Sequence, residues 1–391
     1  MNNVWVLTAA QALAFSSVSA AVLVGGIVGE SLAPDPRFAT LPMALFILGT
    51  ASTTLPAARL MLIYDRKICF ILAALVAAIM TLIAYYAIDR HDFWLFCFAT
   101  FGIGAHIAFV QQYRFAAAES VEPSQAGQAI SMIMLGGLVA AFTGPEIANQ
   151  TALLNQSRPY SATFLALALV LVVNSVTLAF YQNVSVSQDI NSSGGRTVRE
   201  LATQANFILA VSASVTGFVV MSYIMTATPI SMHSHNGYSL STTTRVIQAH
   251  MIAMFLPSLF TGKLINRFGE LPIITIGALL MLTCIAIALS GIEIWHYSAA
   301  LITLGVGWNF LFVGGSTLLT KSYLEQEKFR AQGLHDFTVF SFQALAALSS
   351  GSMLHRVGWS GIQYSSLPIV LLFLGLLLWQ LRLVRLNPQS P

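Results

Sequence analysis

Between Gly102 and Ser120 a nearly unbroken apolar run carries His106, Tyr113 and Arg114, with Glu119 at its edge. A charge in the middle of a membrane-spanning helix costs about 2.5–3.5 kcal/mol on insertion scales, so such residues face a cavity or a partner. On the helical period of about 3.6 residues, His106, Val110, Tyr113 and Ala117 form a narrow stripe; Arg114 lies about 80° round from His106 and about 12 Å along the axis. A guanidinium and an imidazole bordering one cavity have the chemistry of a carboxylate or anion site. The competing roles are snorkelling of Arg114 to the headgroups and a neutral His106 bonded to a neighbouring helix. Glu119 reads first as a solvated loop charge and second as a gate.

A second polar stripe joins Asn309, Ser316 and Thr320 at i, i+7 and i+11, with Trp308 beside it. An indole there can stack on a planar or sugar-like ligand and donate one hydrogen bond, or it can pack between helices. Gln248 and His250 are about 200° apart on a helix, so at most one faces a cavity; Gln248 shares a face with Arg245 and is preferred. Gln11, Ser16, Ser17, Ser212, Thr216 and Tyr223 are weaker polar candidates, and Thr317 and Thr320 also serve as interhelical glue. Glu146 follows the Gly144-Pro145 break, where a buried carboxyl would carry a proton or pair with an arginine. His335 and Asp336 open a helix beyond the loop charges Lys328 and Arg330, as a cap or a gate.

Several chemistries are excluded. Cys69, Cys97 and Cys284 are the only cysteines and lie in apolar runs, so neither a disulfide framework nor a metal site is expected. No GxxxxGK[ST] motif occurs, which argues against ATP hydrolysis, and no cofactor is expected. Paired carboxylates or a Ser/His pair set deep in facing helices are missing, so no catalytic residue is assigned. Lys and Arg are scattered and the net charge is +3, which excludes nucleic acid as a partner.

These residues are carried by membrane helices. Hydrophobic residues make up 56% of the 391 and charged residues 8%, against about 25% charged in soluble domains. Runs of about 20 apolar residues, the length that crosses a bilayer as helix, occur twelve times: 4–28, 38–62, 67–88, 93–118, 126–150, 160–181, 203–227, 242–264, 271–292, 296–322, 331–354 and 359–384. The first is too long for a signal peptide and lacks a charged leader, so it stays as a span. The chain is expected to be an all-α membrane protein with an N-terminal six-helix bundle at 1–181, a cytoplasmic linker at 182–202 and a C-terminal six-helix bundle at 203–391. The linker stretch Gln188 to Gly195 is polar and Gly/Ser-rich and is expected only to tether the bundles. With both termini inside, eleven basic residues fall in inner loops and five in outer ones, the bias of an inner-membrane protein with cytoplasmic termini.

The halves repeat. "GIGAHIAFV" at 102–110 returns as "GVGWNFLFV" at 305–313, "ARLMLIYD" at 58–65 parallels "GKLINRFG" at 262–269, and "AGQA" at 126–129 parallels "RAQG" at 330–333, all at offsets of 203 or 204. Six helices separate the copies, so the repeats are parallel, about an axis along the membrane normal. If His106 and Asn309 are equivalent, they approach a substrate from opposite walls of one cavity.

The chain resembles the major facilitator superfamily over its whole length. The family's loop after helices 2 and 8, G-x-L-x-D-R-x-G-R/K-R/K, is matched by Gly262, Leu264, Asn266, Arg267 and Gly269; the first copy keeps Leu60, Arg66 and Lys67 but has Ala58, Leu62 and Asp65 at the other places. Gly144-Pro145 resembles the family's fifth-helix motif, whereas Phe98 stands where many proton-coupled members carry an arginine. "YRFAAAES", "GVGWNFLFVGGSTLL" and "AQGLHDF" look like a group of bacterial permeases of mostly unassigned substrate. The resemblance implies rocker-switch transport with helices 1, 4, 7 and 10 lining the cavity, and gating at loops bearing Asn266 and Arg267.

The expected function is secondary active transport of a small organic solute by a monomer in the lipid bilayer, coupled to protons because histidines and carboxylates lie inside helices. Arg114 and the histidines tilt the solute toward an anionic metabolite or carboxylate siderophore. The alternative is a multidrug or metabolite exporter working as a proton antiporter, given 11% aromatic residues and thirteen Met. An intramembrane enzyme or receptor is the remotest reading.

Overall fold

In the computed structural model, residues 2–35, 38, 41–152, 154–155, 158–183 and 195–386 are described. Among them there is no strand, as expected where lipid offers the backbone no hydrogen-bond partner. The helices are α1 (Asn2–Leu32), α2 (Leu41–Tyr64), α3 (Arg66–Arg90), α4 (Phe93–Val110), α5 (Tyr113–Ala118), α6 (Ala126–Thr151), α7 (Ser161–Ala179), α8 (Val198–Leu201), α9 (Ala205–Pro229), α10 (Leu240–Phe255), α11 (Ser258–Phe268), α12 (Glu270–Ser290), α13 (Ile294–Thr320) and α14 (Lys328–Leu386). Among the described residues ten helices are long and apolar enough to cross a membrane. The twelve expected spans are reached with α10 and α11, one crossing interrupted at Pro257, and with α14, which is two helices joined across Gly358 at φ 69°. Proline lacks the N–H that would continue the ladder.

Helix α3 turns a row of alanines inward and most of its large residues outward. On α3, Phe70, Ala73, Ala74, Ala77, Ala78, Ala84 and Ala87 are buried, while Leu72, Val76, Ile79, Leu82 and Tyr86 are exposed. Lipid tails are as apolar as leucine, so small residues that let backbones approach do the packing and large ones meet lipid. Ala77 and Ala78 thus meet Leu171 of α7.

Two compact units follow chain order with one exception: the first is Met1–Ser193 together with Gln332–Ala344, the second Gly194–Ala331 with Leu345–Pro391. In the first, α1 packs on α6, α2 on α4 and α3 on α7; in the second, α9, α10 and α12 all pack on α13. Most of the stretch expected to act only as a tether, Gln188 to Gly194, lies outside the described residues.

One turn shows the repeat in its backbone. Gly269, ahead of α12, has φ 84° and ψ 171°; Asp65, ahead of α3 and 204 residues earlier, has φ 67° and ψ 163°. That region is essentially reserved for glycine and costs other residues about 1–3 kcal/mol. Asp65 offsets part of this because its carboxylate accepts from Ile68 N at 3.1 Å and caps α3. Asp65→Ala keeps the strain and loses the cap, so it should lower stability by about 1 kcal/mol. Asp65→Gly should be at least as stable as the native chain. Thermal unfolding of both in detergent checks this, and a glycine variant less stable than the alanine one would contradict it.

Candidate functional site

The ladder of the fourth crossing breaks at Gln111 and Gln112, between α4 and α5. Phe115 N bonds to Gln112 O, so Gln111 O is left for another donor, and Arg114 Nη1 takes it at 2.7 Å and Gln111 Oε1 at 2.9 Å. The other arm of the fork, Nη2, pairs with Asp336 Oδ1. Asp336 Oδ2 accepts from Gln112 Nε2 at 2.8 Å, and His335 Nδ1 lies 2.8 Å from Oδ1. All of this sits in the first unit, with Arg114 1% exposed and His335 and Asp336 at 0%. Arg114 is therefore not snorkelling, and His335 and Asp336 are not a solvated cap. Asp336 answers the charge of Arg114, which removes the basis for preferring an anionic solute.

A second cluster lies on the same helical face, since Gln332, His335 and Asp336 are spaced i, i+3 and i+4. Arg66 Nη2 donates to Glu119 Oε1 at 2.8 Å and to Gln332 Oε1 at 2.7 Å, and Gln332 Nε2 closes the triangle on Glu119 at 2.9 Å. Glu119 is thus an ion-pair partner, correcting its reading as a solvated charge. In the second unit Lys321 pairs with Glu270 at 2.5 Å. Glu270 opens α12 as Arg66 opens α3, so the repeat keeps an ion pair at this corner with its signs exchanged. Gln111, Gln112 and Gln332 were missed from sequence. The i, i+3, i+4 set Gln332-His335-Asp336 was the available signal.

The other candidates are packed among neighbouring helices or exposed. Tyr113 packs its ring edge-on against Phe70 of α3, centroids 4.7 Å apart, while its hydroxyl, on the side of Asn174 of α7, is buried without a hydrogen-bond partner. Asn309 donates to Met254 O at 2.8 Å and Ser258 Oγ at 2.7 Å and accepts from Thr261 Oγ1 at 2.8 Å. His250 Nδ1 meets Leu301 O at 2.7 Å. Leu301, Gly305 and Asn309, four residues apart, present one face of α13 to α10 and α11. Gln248 and Glu146 are exposed, Glu146 accepting from Gln150 at 2.5 Å; burial of Glu146 is not found. Asn266 and Arg267 are exposed at the end of α11, with Arg267 over the ring of Phe268 at 5.1 Å. Asn309→Ala should destabilise the second unit by about 1–3 kcal/mol, the cost of leaving buried partners unpaired. Ligand affinity should stay unchanged, which a thermal-shift titration checks.

The repeated glycines explain why the textual alignment misled. A side chain on Gly104 would strike Phe46 O of α2, and one on Gly102 would strike Met80 of α3. In the second copy the order is reversed: Gly305 meets His250 O and Met254 N of α10, and Gly307 meets Gly277 O and Leu280 of α12. The two copies therefore turn their glycines to opposite neighbours, and His106, four residues from Gly102, lies on the face toward α3 while Asn309, four from Gly305, lies on the face toward α10 and α11. His106 and Asn309 are not structural equivalents.

Buried groups with unused hydrogen-bonding capacity remain. Trp308 is 3% exposed, stacks on Phe312 at 5.2 Å and meets Phe218 and Phe255 edge-on, yet its Nε1 has no acceptor. Ser316 Oγ, two turns on, likewise lacks a partner, as do His106 Nε2 and Gln11 Oε1 in the first unit. Buried polar groups without partners are uncommon in native folds, and a ligand is one way to satisfy them. Among the described residues no group of His, Cys, Asp and Glu is arranged to hold a metal.

The profile of the Major Facilitator Superfamily matches residues 4–341 and 221–391. The riboflavin transporter RfnT of Brucella anthropi is 39% identical over 97% of this chain and 96% of its own length. The uncharacterized transporter YdeG of Bacillus subtilis is 26% identical over 96% of this chain and 90% of its own. Among solved structures, an outward-facing bacterial homologue of the iron transporter ferroportin superposes with a TM-score of 0.76 at 13% identity, covering 97% of this chain and 99% of the other. The Escherichia coli fucose:proton symporter FucP gives 0.74 at 14% identity over 95% and 98%. A family profile spanning the chain, a relative alike from end to end and a shared helical fold lead to one conclusion: this chain belongs to the Major Facilitator Superfamily and is a multi-pass membrane transporter of a small molecule, not an enzyme.

Proposed function

We propose that this transporter carries riboflavin, or a flavin with the same tricyclic ring, by proton-coupled alternating access. The observation that carries the reading is the 39% identity to a riboflavin transporter across 97% of the chain. The unpaired donors support it. A flavin presents a flat apolar face and ring carbonyls that accept hydrogen bonds; Trp308 Nε1 and Ser316 Oγ are buried donors without acceptors, and the indole lies beside the rings of Phe218, Phe312 and Phe255. Proton coupling is assigned to Asp336, because a proton on this buried carboxyl would cancel the charge that holds Arg114. In this reading the chain lies in the inner membrane with both termini in the cytoplasm.

The test is expression in a bacterial riboflavin auxotroph lacking flavin uptake. Saturable accumulation of labelled riboflavin, collapsed by a protonophore, is the expected result. Absence of saturable flavin movement in both right-side-out and everted vesicles would discard the substrate, and accumulation indifferent to the protonophore would discard the coupling.

A further inference from the structure

Ser316 departs from the habit of its own helix. In α13 the hydroxyls of Ser298, Thr303 and Thr317 donate to the carbonyls four residues back, at 2.7, 2.7 and 2.8 Å, and Thr320 donates to Thr317 O at 2.7 Å. Such back-bonding is the local outlet for a hydroxyl on a helix that has no water beside it. Ser316 Oγ does not take it: the residue is 0% exposed and the hydroxyl has no partner. A hydroxyl in that condition is either a cost that the fold carries or a group kept for a ligand.

The glycines of α13 fix where it points. Gly307 and Gly314, seven residues apart, face α12, where an added side chain would meet Gly277 O and Ile274, and Gly315 faces α9 at Ala210 O and Ser214. Nine residues on from Gly307, Ser316 lies about 180° round, on the face turned away from α12. Trp308 and Phe312 lead up to it in steps of four residues, and Phe218 of α9 meets both rings edge-on, at 5.2 and 4.9 Å. Two unpaired donors, Trp308 Nε1 and Ser316 Oγ, thus stand about 12 Å apart along the helix axis with aromatic rings between them. That spacing decides what one molecule can offer to both. The carbonyls of a flavin flank one nitrogen of a single six-membered ring, too close together to serve both donors. The ribityl chain is attached to another ring and reaches well beyond the ring system. The donor types sort the same way: an indole only donates and suits a carbonyl, whereas a hydroxyl donates and accepts and suits a polyol.

We propose that Ser316 binds the ribityl hydroxyls of the flavin and makes the transporter selective for flavins that carry a polyol chain, with Trp308 holding the ring. The proposal rests on the flavin reading above. The test is fluorescence quenching of riboflavin and of lumiflavin, the same ring with a methyl group in place of the chain, by full-length protein in lipid nanodiscs. The native chain should bind riboflavin more tightly than lumiflavin. Ser316→Ala should weaken riboflavin about three- to tenfold and leave lumiflavin within about twofold, whereas Trp308→Phe should weaken both by the same factor. Retained lumiflavin affinity in the alanine variant also reports that its fold is intact. Without ligand, Ser316→Ala should melt at or above the native temperature, because the hydroxyl that it removes has no bond to lose. A lower melting temperature would show the hydroxyl to be bonded within the fold and would overturn the proposal. So would Ser316→Ala weakening both flavins alike or neither, or a native chain that binds both flavins equally well. A native chain that binds no riboflavin would discard the substrate reading, and this assignment of Ser316 with it.

Discussion

Arg114→Ala should leave little folded protein, because it takes the charged partner from the fully buried carboxylate of Asp336 and leaves it only Gln112 and His335. Removing one member of a buried ion pair costs about 3–5 kcal/mol, a large fraction of the stability of most domains. Asp336→Ala should cost a similar amount by stranding the guanidinium. The informative variant replaces both, Arg114→Met with Asp336→Leu. It should regain most of the lost stability, since exchanging a buried pair for apolar residues of similar volume is often neutral or better. Thermal unfolding in detergent reads the stability, and labelled riboflavin the function. The double variant should exchange riboflavin across the membrane at equilibrium yet fail to accumulate it against a gradient. A stable double variant that still accumulates riboflavin would remove the pair from the coupling mechanism. An Arg114→Ala protein as stable as the native chain would mean that Asp336 finds another partner.

Trp308 should separate packing from recognition. Trp308→Ala empties the space between Phe218, Phe255 and Phe312 and should cost about 3–5 kcal/mol of stability, as large-to-small changes in cores do. Trp308→Phe keeps a ring among those three and removes only Nε1. Its stability should be close to native, while riboflavin affinity should fall by about 1–2 kcal/mol, roughly 5- to 30-fold, the effect of losing one hydrogen bond to a buried acceptor. Quenching of riboflavin fluorescence by purified protein gives the affinity directly. Native affinity in the phenylalanine variant would leave the indole as packing alone.

The scaffold was legible because bilayer thickness and backbone satisfaction leave few choices: an apolar run of about 20 residues has to be helix. Pro257 and the Gly358 bend altered how helices divide but not how many crossings there are. The charged site was legible only as a set of suspects. Arg114 and Asp336 were both on it, but 222 residues separate them and no local pattern pairs them. The stripe read through His106 and Tyr113 failed at the Gln111-Gln112 break, where the period is interrupted and Tyr113 turns into the core. Asn309 failed for another reason: a polar residue on a membrane helix serves equally to hold a neighbour or a ligand, and only the partners Met254, Ser258 and Thr261 decide which.

Asp65 and Gly269 carry a consequence for heredity. The two turns share one backbone shape, yet their letters differ, so the copies have diverged in spelling while keeping a dihedral angle. Codons for aspartate and glycine are a single base apart, and either residue keeps the turn, one by a hydrogen bond and the other by having no side chain to clash. Drift can therefore cross between the two spellings in one step without passing through a broken turn. Relatives of this chain should be found with either letter at the first copy, and a motif search that demands glycine at position 65 will overlook half of a repeat that the backbone still preserves.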